Sequence, residues 1–168
     1  MSRISDMLTP DMFLEDIYTL NLDKMKTLGI EAFVFDIDNT LVTYDDAYAP
    51  EHTKKWFETL HKNGFKTYLV SNNNSDRVNL FAESLGLRYY ANALKPRKKY
   101  LKLACRDMDV DAKHTALAGD QLFTDIYGGK RMGMYTIFVK AISDKENWFV
   151  HFKRYLERAV MRGGKYEL

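Results

Sequence analysis

The stretch FVFDIDNTLV, residues 33–42, decides the fold class because it joins an apolar run to two acids. Its first three residues are typical of a buried strand, and Asp36 and Asp38 follow with one isoleucine between them. Strand residues two apart face the same side, and the carboxyl end of a strand in an open α/β sheet borders the ligand crevice. Two carboxylates there repel each other unless a cation or a proton intervenes. The pair indicates a metal site, a nucleophile with an acid/base partner, or both. The alternative is that Asp38, Asn39 and Thr40 only form hydrogen bonds with backbone groups at a turn.

Outward from this stretch, short apolar strands alternate with helical patterns. Five strands are predicted, at residues 32–35, 67–70, 88–90, 115–118 and 135–139. Helices are predicted at residues 9–20, 21–29, 51–62, 77–85, 97–108 and about 125–131. This alternation predicts an α/β fold, a Rossmann-like three-layer sandwich with a central parallel sheet of about five strands.

Length and charge exclude several classes of protein. A chain of 168 residues suits one domain, here predicted over residues 1–168 with a helical lead-in at 1–29 and a helical tail at 141–168. The net charge of +2 gives no global case for a nucleic-acid partner. The N-terminus lacks the apolar run of a signal peptide, and no apolar stretch is long enough to form a membrane-spanning helix. We therefore expect a soluble, cytoplasmic protein.

Other predicted strands also end in chemically useful side chains. Ser71 follows the second strand, and Asp120 follows the fourth, with Asp125 just beyond it. Lys95 lies in a loop between them, directly before a proline. A phosphate held by a hydroxyl and an ammonium, beside a cation held by carboxylates, would use this set of residues.

The ordered motifs resemble the four motifs of the haloacid dehalogenase (HAD) superfamily. They are Asp36-Ile37-Asp38-Asn39-Thr40, Ser71-Asn72-Asn73, Lys95-Pro96 and Gly119-Asp120 with Asp125. The stretch GDQLFTDIYGGKRMGMYTIFV, with the lead-in before the first strand, is similar to the YqeG-like phosphatases of subfamily IIIA. That group includes mitochondrial phosphatidylglycerophosphate phosphatases. The resemblance implies a capless HAD fold with strand order 3-2-1-4-5.

The resemblance also implies a role for each motif residue. Asp36 would be the nucleophile and Asp38 the general acid and base. Ser71, Asn72 and Lys95 would bind the phosphate. Mg²⁺ would be held by Asp36, Asp120 and Asp125 and by Asp38, the last through its backbone carbonyl. An aspartate at the second position is typical of phosphatases and phosphomutases rather than of ATPases or dehalogenases, so phosphoryl hydrolysis is expected.

The spacing between motifs leaves no room for an inserted cap domain. Residues 41–49, which we call the flap, and one helix and strand fill the gap before Ser71. We therefore expect an open site, unless oligomerisation covers it, and a large or membrane-presented phosphate such as a phospholipid. Residues 147–162 alternate aromatic with basic side chains, which fits either an anionic membrane or docking on the domain. The alternative function is a regulatory or interaction protein with little catalytic activity.

Overall fold

The computed structural model describes residues 3–143, so the predicted tail at 147–162 lies outside the described residues. The helices are α1 (Arg3–Leu8), α2 (Leu22–Thr27), α3 (Glu51–Lys62), α4 (Ser75–Leu85), α5 (Lys98–Met108) and α6 (Tyr127–Met132). The strands are β1 (Met12–Leu14), β2 (Ala32–Phe35), β3 (Lys66–Val70), β4 (Tyr89–Tyr90), β5 (Thr115–Gly119) and β6 (Tyr135–Val139). No helix within the described residues is both long and apolar enough to cross a membrane.

The six strands form one parallel sheet in the order β1-β6-β5-β2-β3-β4. The predicted order of five strands is confirmed, because β4-β3-β2-β5-β6 is the expected 3-2-1-4-5. The additional strand, β1, pairs with β6 at the edge. The chain runs from β2 toward β4 on one side and then returns to place β5 on the other. The strand order therefore reverses at β2, where ligands bind in folds of this kind.

Both faces of the sheet are covered, which explains why β2 is apolar at every position. Phe33 and Phe35 pack with α3 and α4, through Phe57, Leu60 and Phe81 among others. Val34 faces the opposite side and packs against α5. Because successive strand residues alternate between faces, a strand buried on both sides needs a continuous apolar run. The sheet therefore holds the residues after β2 on a rigid, fully buried base.

The helix predicted over residues 9–20 is wrong. The structure instead has α1 before it, the strand β1, and a short 3-10 helix at Ile17–Thr19. Asp11 explains the difference, because its side chain accepts hydrogen bonds from the backbone N and Oγ1 of Thr136, both at 2.8 Å. These long-range bonds hold the following residues as an edge strand. The second predicted lead-in helix is confirmed as α2, which Asn21 caps by accepting from Lys24 N.

Candidate active site

The predicted motif residues gather at the carboxyl ends of the central strands. Asp36 follows β2, Ser71 follows β3, and Asp120 follows β5. In the register of the sheet, β2 lies between β3 and β5, so these three positions are neighbours at one edge. Lys95 reaches the same place from the loop after β4. The crevice at the reversal of strand order is therefore lined by the residues that the sequence singled out.

Three buried carboxylates meet in this crevice. Ligand oxygens of Asp36, Asp120 and Asp125 all lie within 4.8 Å of one another. Thr40, itself buried, donates a hydrogen bond from Oγ1 to Asp120 Oδ1 at 3.3 Å. Oxygen donors of this kind are the ligands that Mg²⁺ prefers. The donor set of the side chains therefore fits a hard divalent cation.

Lys95 is the buried cation of the group. Its Nζ lies 2.6 Å from Asp36 Oδ1, to which it donates a hydrogen bond, and 2.6 Å from Asp125 Oδ1. Asp36 and Asp125 therefore share one buried ammonium.

The pKa values of the group show that its negative charge is not fully balanced. Burial, with the charges of Asp36 and Asp125, raises the pKa of Asp120 to about 8. Burial also raises the pKa of Asp36 to about 7, although Lys95 opposes the rise. For Lys95, burial alone would lower the pKa, but Asp125 and Asp36 hold it above its ordinary value. Carboxylates that outnumber the buried ammonium in this way favour a second cation.

Gly119 gives Asp125 its place in the crevice. A Cβ at Gly119 would overlap the side chain of Asp125, whose Oδ2 accepts a hydrogen bond from Gln121 N at 3.2 Å. Asp125 lies on a wide π-helical turn, Leu122–Ile126, that runs into α6. This turn was predicted only as part of a short helix around residues 125–131. Turns of this type are frequent at functional sites.

Asp38 lies outside the group of three carboxylates. Its Oδ1 accepts a hydrogen bond from Arg77 Nη2 at 3.0 Å, and its Oδ2 accepts one from Asn73 Nδ2 at 2.9 Å. This is consistent with the expectation that its backbone carbonyl, not its side chain, would face the metal; that role stays a prediction. Its charge still reaches Asp36, as the last of the causes that raise the pKa of Asp36.

The two predicted phosphate ligands after β3 have different surroundings. Ser71 is buried, and its Oγ accepts a hydrogen bond from Asn73 N at 3.1 Å. The Asn72 side chain bonds both backbone groups of Lys95: Oδ1 accepts from N at 2.7 Å, and Nδ2 donates to O at 3.2 Å. Asn72 therefore holds the loop that carries Lys95. Direct contact of Ser71 or Asn72 with a phosphate remains a prediction.

Within residues 3–143, no domain is inserted over the crevice. The chain between β2 and β3 contains only the flap and α3, and the chain between β3 and β4 contains only α4. Exposed large apolar side chains lie in the segments that follow the carboxyl ends of the strands, and we call them the apolar rim: Tyr44, Tyr48, Leu94, Phe123 and Ile142. They are the five most exposed large apolar side chains of the described residues.

Arg77 and Asn73 are the contacts of Asp38 that sequence reasoning missed. Arg77 is separated from Asp38 by 39 residues, so no local spacing connects them. One signal was present in the sequence, since Arg77 lies in the first turn of α4. A basic residue is unfavourable there because of the helix dipole, which suggests that an acidic partner holds it.

The chain is similar to known hydrolases and phosphatases, which agrees with the residues found at the site. The profile of the haloacid dehalogenase-like hydrolases matches residues 44–133. The chain is 36% identical to the probable phosphatase YqeG of Bacillus subtilis, over 90% of this chain and 88% of that protein. It is 27% identical to the mitochondrial phosphatidylglycerophosphatase of Saccharomyces cerevisiae, over 67% of this chain and 68% of that one.

The fold is also similar to that of a HAD family enzyme of Bacteroides thetaiotaomicron, solved as a magnesium complex. The TM-score is 0.55 at 14% identity, over 72% of this chain and 98% of the other. The relative at 36% identity spans nearly the whole chain, which confirms the resemblance inferred from the motifs. The chain therefore belongs to the haloacid dehalogenase-like hydrolases, and within that family it is a phosphatase.

Proposed function

We propose that the protein is a Mg²⁺-dependent phosphomonoester hydrolase that works through a phosphoaspartate on Asp36. The observation that carries the proposal is the position of Asp36, at the end of the central strand and 2.6 Å from the Lys95 ammonium. Two further buried carboxylates, Asp120 and Asp125, complete the crevice. A nucleophilic carboxylate must approach an anionic phosphate, so it needs positive charge on both sides of the reacting atoms.

The side chains of Asp36, Asp120 and Asp125 would hold Mg²⁺, together with the backbone carbonyl of Asp38. The three clustered carboxylates and the raised pKa values of Asp36 and Asp120 support this assignment. The magnesium complex of the Bacteroides enzyme, which shares the fold, agrees with it. When bound, Mg²⁺ would neutralise phosphate charge and draw the substrate toward Asp36.

In the first step, a carboxylate oxygen of Asp36 attacks phosphorus and the bond to the leaving oxygen breaks. Asp38 gives its proton to that oxygen, and an alcohol departs. Lys95 stays against Asp36 and offsets the charge of the phosphoryl group, while the Ser71 hydroxyl donates to a phosphoryl oxygen. In the second step, Asp38 takes a proton from water, which attacks phosphorus. Inorganic phosphate leaves and the Asp36 carboxylate is restored.

The substrate that we propose is a large or membrane-presented phosphate, with phosphatidylglycerophosphate as the leading example. The uncovered crevice supports a substrate too large to be enclosed, and the yeast relative acts on phosphatidylglycerophosphate by name. The apolar rim adds surface that an interface could cover. On the Leu94 side, the exposed Arg97, Lys98 and Lys99 favour anionic lipid, whereas Asp45 and Asp46 of the flap oppose it. We also propose that residues 1–168 form one hydrolase domain. In this proposal the protein lies in the cytoplasm, in peripheral contact with a membrane and able to self-associate.

The test is hydrolysis of an aryl phosphate and of phosphatidylglycerophosphate, with Mg²⁺ and with chelator. We expect activity only with Mg²⁺, and complete loss in Asp36→Asn, which is nearly isosteric and keeps the fold. Beryllium trifluoride with Mg²⁺ should bind against Asp36 in the wild type and not in the variant. Turnover that survives in Asp36→Asn would contradict the proposal.

A further inference from the structure

The guanidinium of Arg77 joins three segments of the chain around Asp38. It projects from the first turn of α4, and its Nη2 donates to Asp38 Oδ1 at 3.0 Å and to the carbonyl oxygen of Thr43, in the flap, at 3.3 Å. The side chain of Arg77 is 11% exposed and that of Asp38 is 17% exposed. The pair is therefore largely shielded from water, and a buried ion pair is screened less than an exposed one.

The surroundings of Arg77 do not otherwise favour its charge. Its Nε and Nη1 are buried, and neither has a hydrogen-bond partner among residues 3–143. Its position at a helix N-terminus is also unfavourable for a cation. The Phe81 ring, whose centroid lies 5.9 Å from the guanidinium, adds a weak cation–π attraction. Among residues 3–143, the side-chain hydrogen bonds of Arg77 go to Asp38 and Thr43, so its charge is held mainly by those two residues.

We propose that Arg77 is a positioning residue that fixes the Asp38 carboxylate and ties the flap to it. Asn73 bonds Oδ2 and Arg77 bonds Oδ1, so the two donors together define the rotation of the carboxylate. Without Arg77, Oδ1 loses its donor and the carboxylate turns about the remaining bond. Because Asp38 is the acid and base of the function proposed above, this inference rests on that proposal.

A double-mutant cycle tests the link to Asp38. We expect Arg77→Met to lower kcat about 10- to 100-fold on an alkyl phosphate, with KM changed less than about twofold, because Arg77 contacts Asp38 rather than the residues proposed to bind phosphate. In the Asp38→Asn background, Arg77→Met should lower kcat less than about twofold, because the carboxylate that Arg77 positions is already absent. Arg77→Lys should recover part of kcat, because an ammonium can still donate to Asp38. Losses that multiply in the double variant would overturn the proposal.

The link to the flap gives a second readout that does not need activity. Tyr44 and Tyr48 are each 61% exposed, so chymotrypsin can reach them once the flap opens. We expect several-fold faster cleavage there in Arg77→Met than in the wild type. Arg88→Met is the matched control, since Arg88 is exposed and stacks on Tyr68; it should change neither cleavage nor kcat.

The two readouts also separate this proposal from the proposed function. If the wild type hydrolyses no phosphomonoester, the proposed function fails, and cleavage alone decides about Arg77. Faster cleavage would then support the positioning role, and unchanged cleavage would overturn it. If Arg77→Met does not fold, as judged by thermal unfolding, Arg77→Lys takes its place in the cleavage measurement. Lysine keeps the bond to Asp38 but is too short to hold Thr43 as well, so faster cleavage is still expected.

Discussion

Gly119 leaves open the space that the carboxyl group of Asp125 occupies, since a Cβ on Gly119 would overlap the Oδ2, Cγ and Cβ of Asp125. Gly119 is the last residue of β5 and pairs with Phe138 of β6, so the backbone there is held by the sheet. The side chain of Asp125 therefore must move if any side chain is introduced.

The first prediction follows from that contact. Gly119→Ala should displace Asp125 and weaken Mg²⁺ binding at least tenfold, measured as the Mg²⁺ concentration that raises the unfolding temperature. Gly64→Ala is the matched control: a Cβ there meets nothing within 4 Å, but its φ of +87° is unfavourable for alanine. The control should lose about 1 kcal/mol of unfolding free energy and bind Mg²⁺ normally. Equal Mg²⁺ binding by both variants would refute the role of Gly119.

The second prediction concerns the cost of keeping Asp120 ionised. Its pKa rises from an ordinary value near 4 to about 8 in the folded protein, so its contribution to stability is largest at low pH. That contribution is lost as the pH rises from about 4 through about 8. Asp120→Asn should remove this loss and make the metal-free protein more stable at pH 8, by at least about 1 kcal/mol or 2–4 °C.

Asp120→Asn should also bind Mg²⁺ weakly, because a carboxylate ligand is gone. Thermal unfolding at pH 5 and pH 8, with chelator and with Mg²⁺, checks both parts. A variant that is less stable than the wild type at pH 8 in chelator would show that the charge of Asp120 does not oppose folding.

The third prediction removes the buried cation. Lys95→Met leaves Asp36 and Asp125 without their ion-pair partner, which should cost about 3–5 kcal/mol of unfolding free energy at pH 8. Loss of the Lys95 charge raises the pKa of Asp36 further, so Asp36 is protonated at lower pH and no longer carries an unpaired charge. The loss of unfolding free energy should therefore shrink toward pH 5. Denaturant unfolding across this pH range is the measurement. Lys98→Met, an exposed change on α5, should stay within about 0.5 kcal/mol of the wild type at every pH.

The fourth prediction tests the apolar rim as a lipid contact. Leu94→Asn with Phe123→Ser should reduce sedimentation with anionic vesicles and slow the hydrolysis of a lipid phosphate several-fold. Asparagine suits the left-handed backbone at Leu94, whose φ is 53°, so the fold should not suffer. Hydrolysis of a soluble aryl phosphate should be unchanged. Leu28→Ser, an exposed change at the end of α2 before the amino end of β2, is the control and should affect the hydrolysis of neither substrate.

If the rim variant and the wild type bind vesicles equally, the rim is not the lipid contact. If the variant slows both substrates equally, the loss lies in the catalytic crevice and not in access to lipid.

The sequence predicted those helices and strands that are determined by residues close together in the chain. β2, α3 and β6 begin and end where they were expected, because each is a continuous apolar or amphipathic run bounded by turn residues or prolines. The motif residues could be placed together because parallel strands present their carboxyl ends at one edge. The gathering of Asp36, Lys95, Asp120 and Asp125 follows from that rule.

The parts that could not be predicted depend on contacts between distant residues. β1 has only three residues, and its strand character comes from Asp11 binding Thr136 across 125 positions. The contact between Arg77 and Asp38 likewise has no local pattern. The bonds from the Asn72 side chain to the backbone of Lys95 could not be predicted either, because the two residues are 23 positions apart; its contact with phosphate stays a prediction.

The two bonds from Asn72 to the backbone of Lys95 have a consequence for hydrogen exchange. β4 has only two residues, so the loop after it would ordinarily open often and exchange its amide protons quickly. The side-chain amide of Asn72 occupies both the N–H and the C=O of Lys95, as a neighbouring strand would. The Lys95 amide should therefore exchange as slowly as those inside β3, and Asn72→Ala should make it exchange at the rate of an open loop.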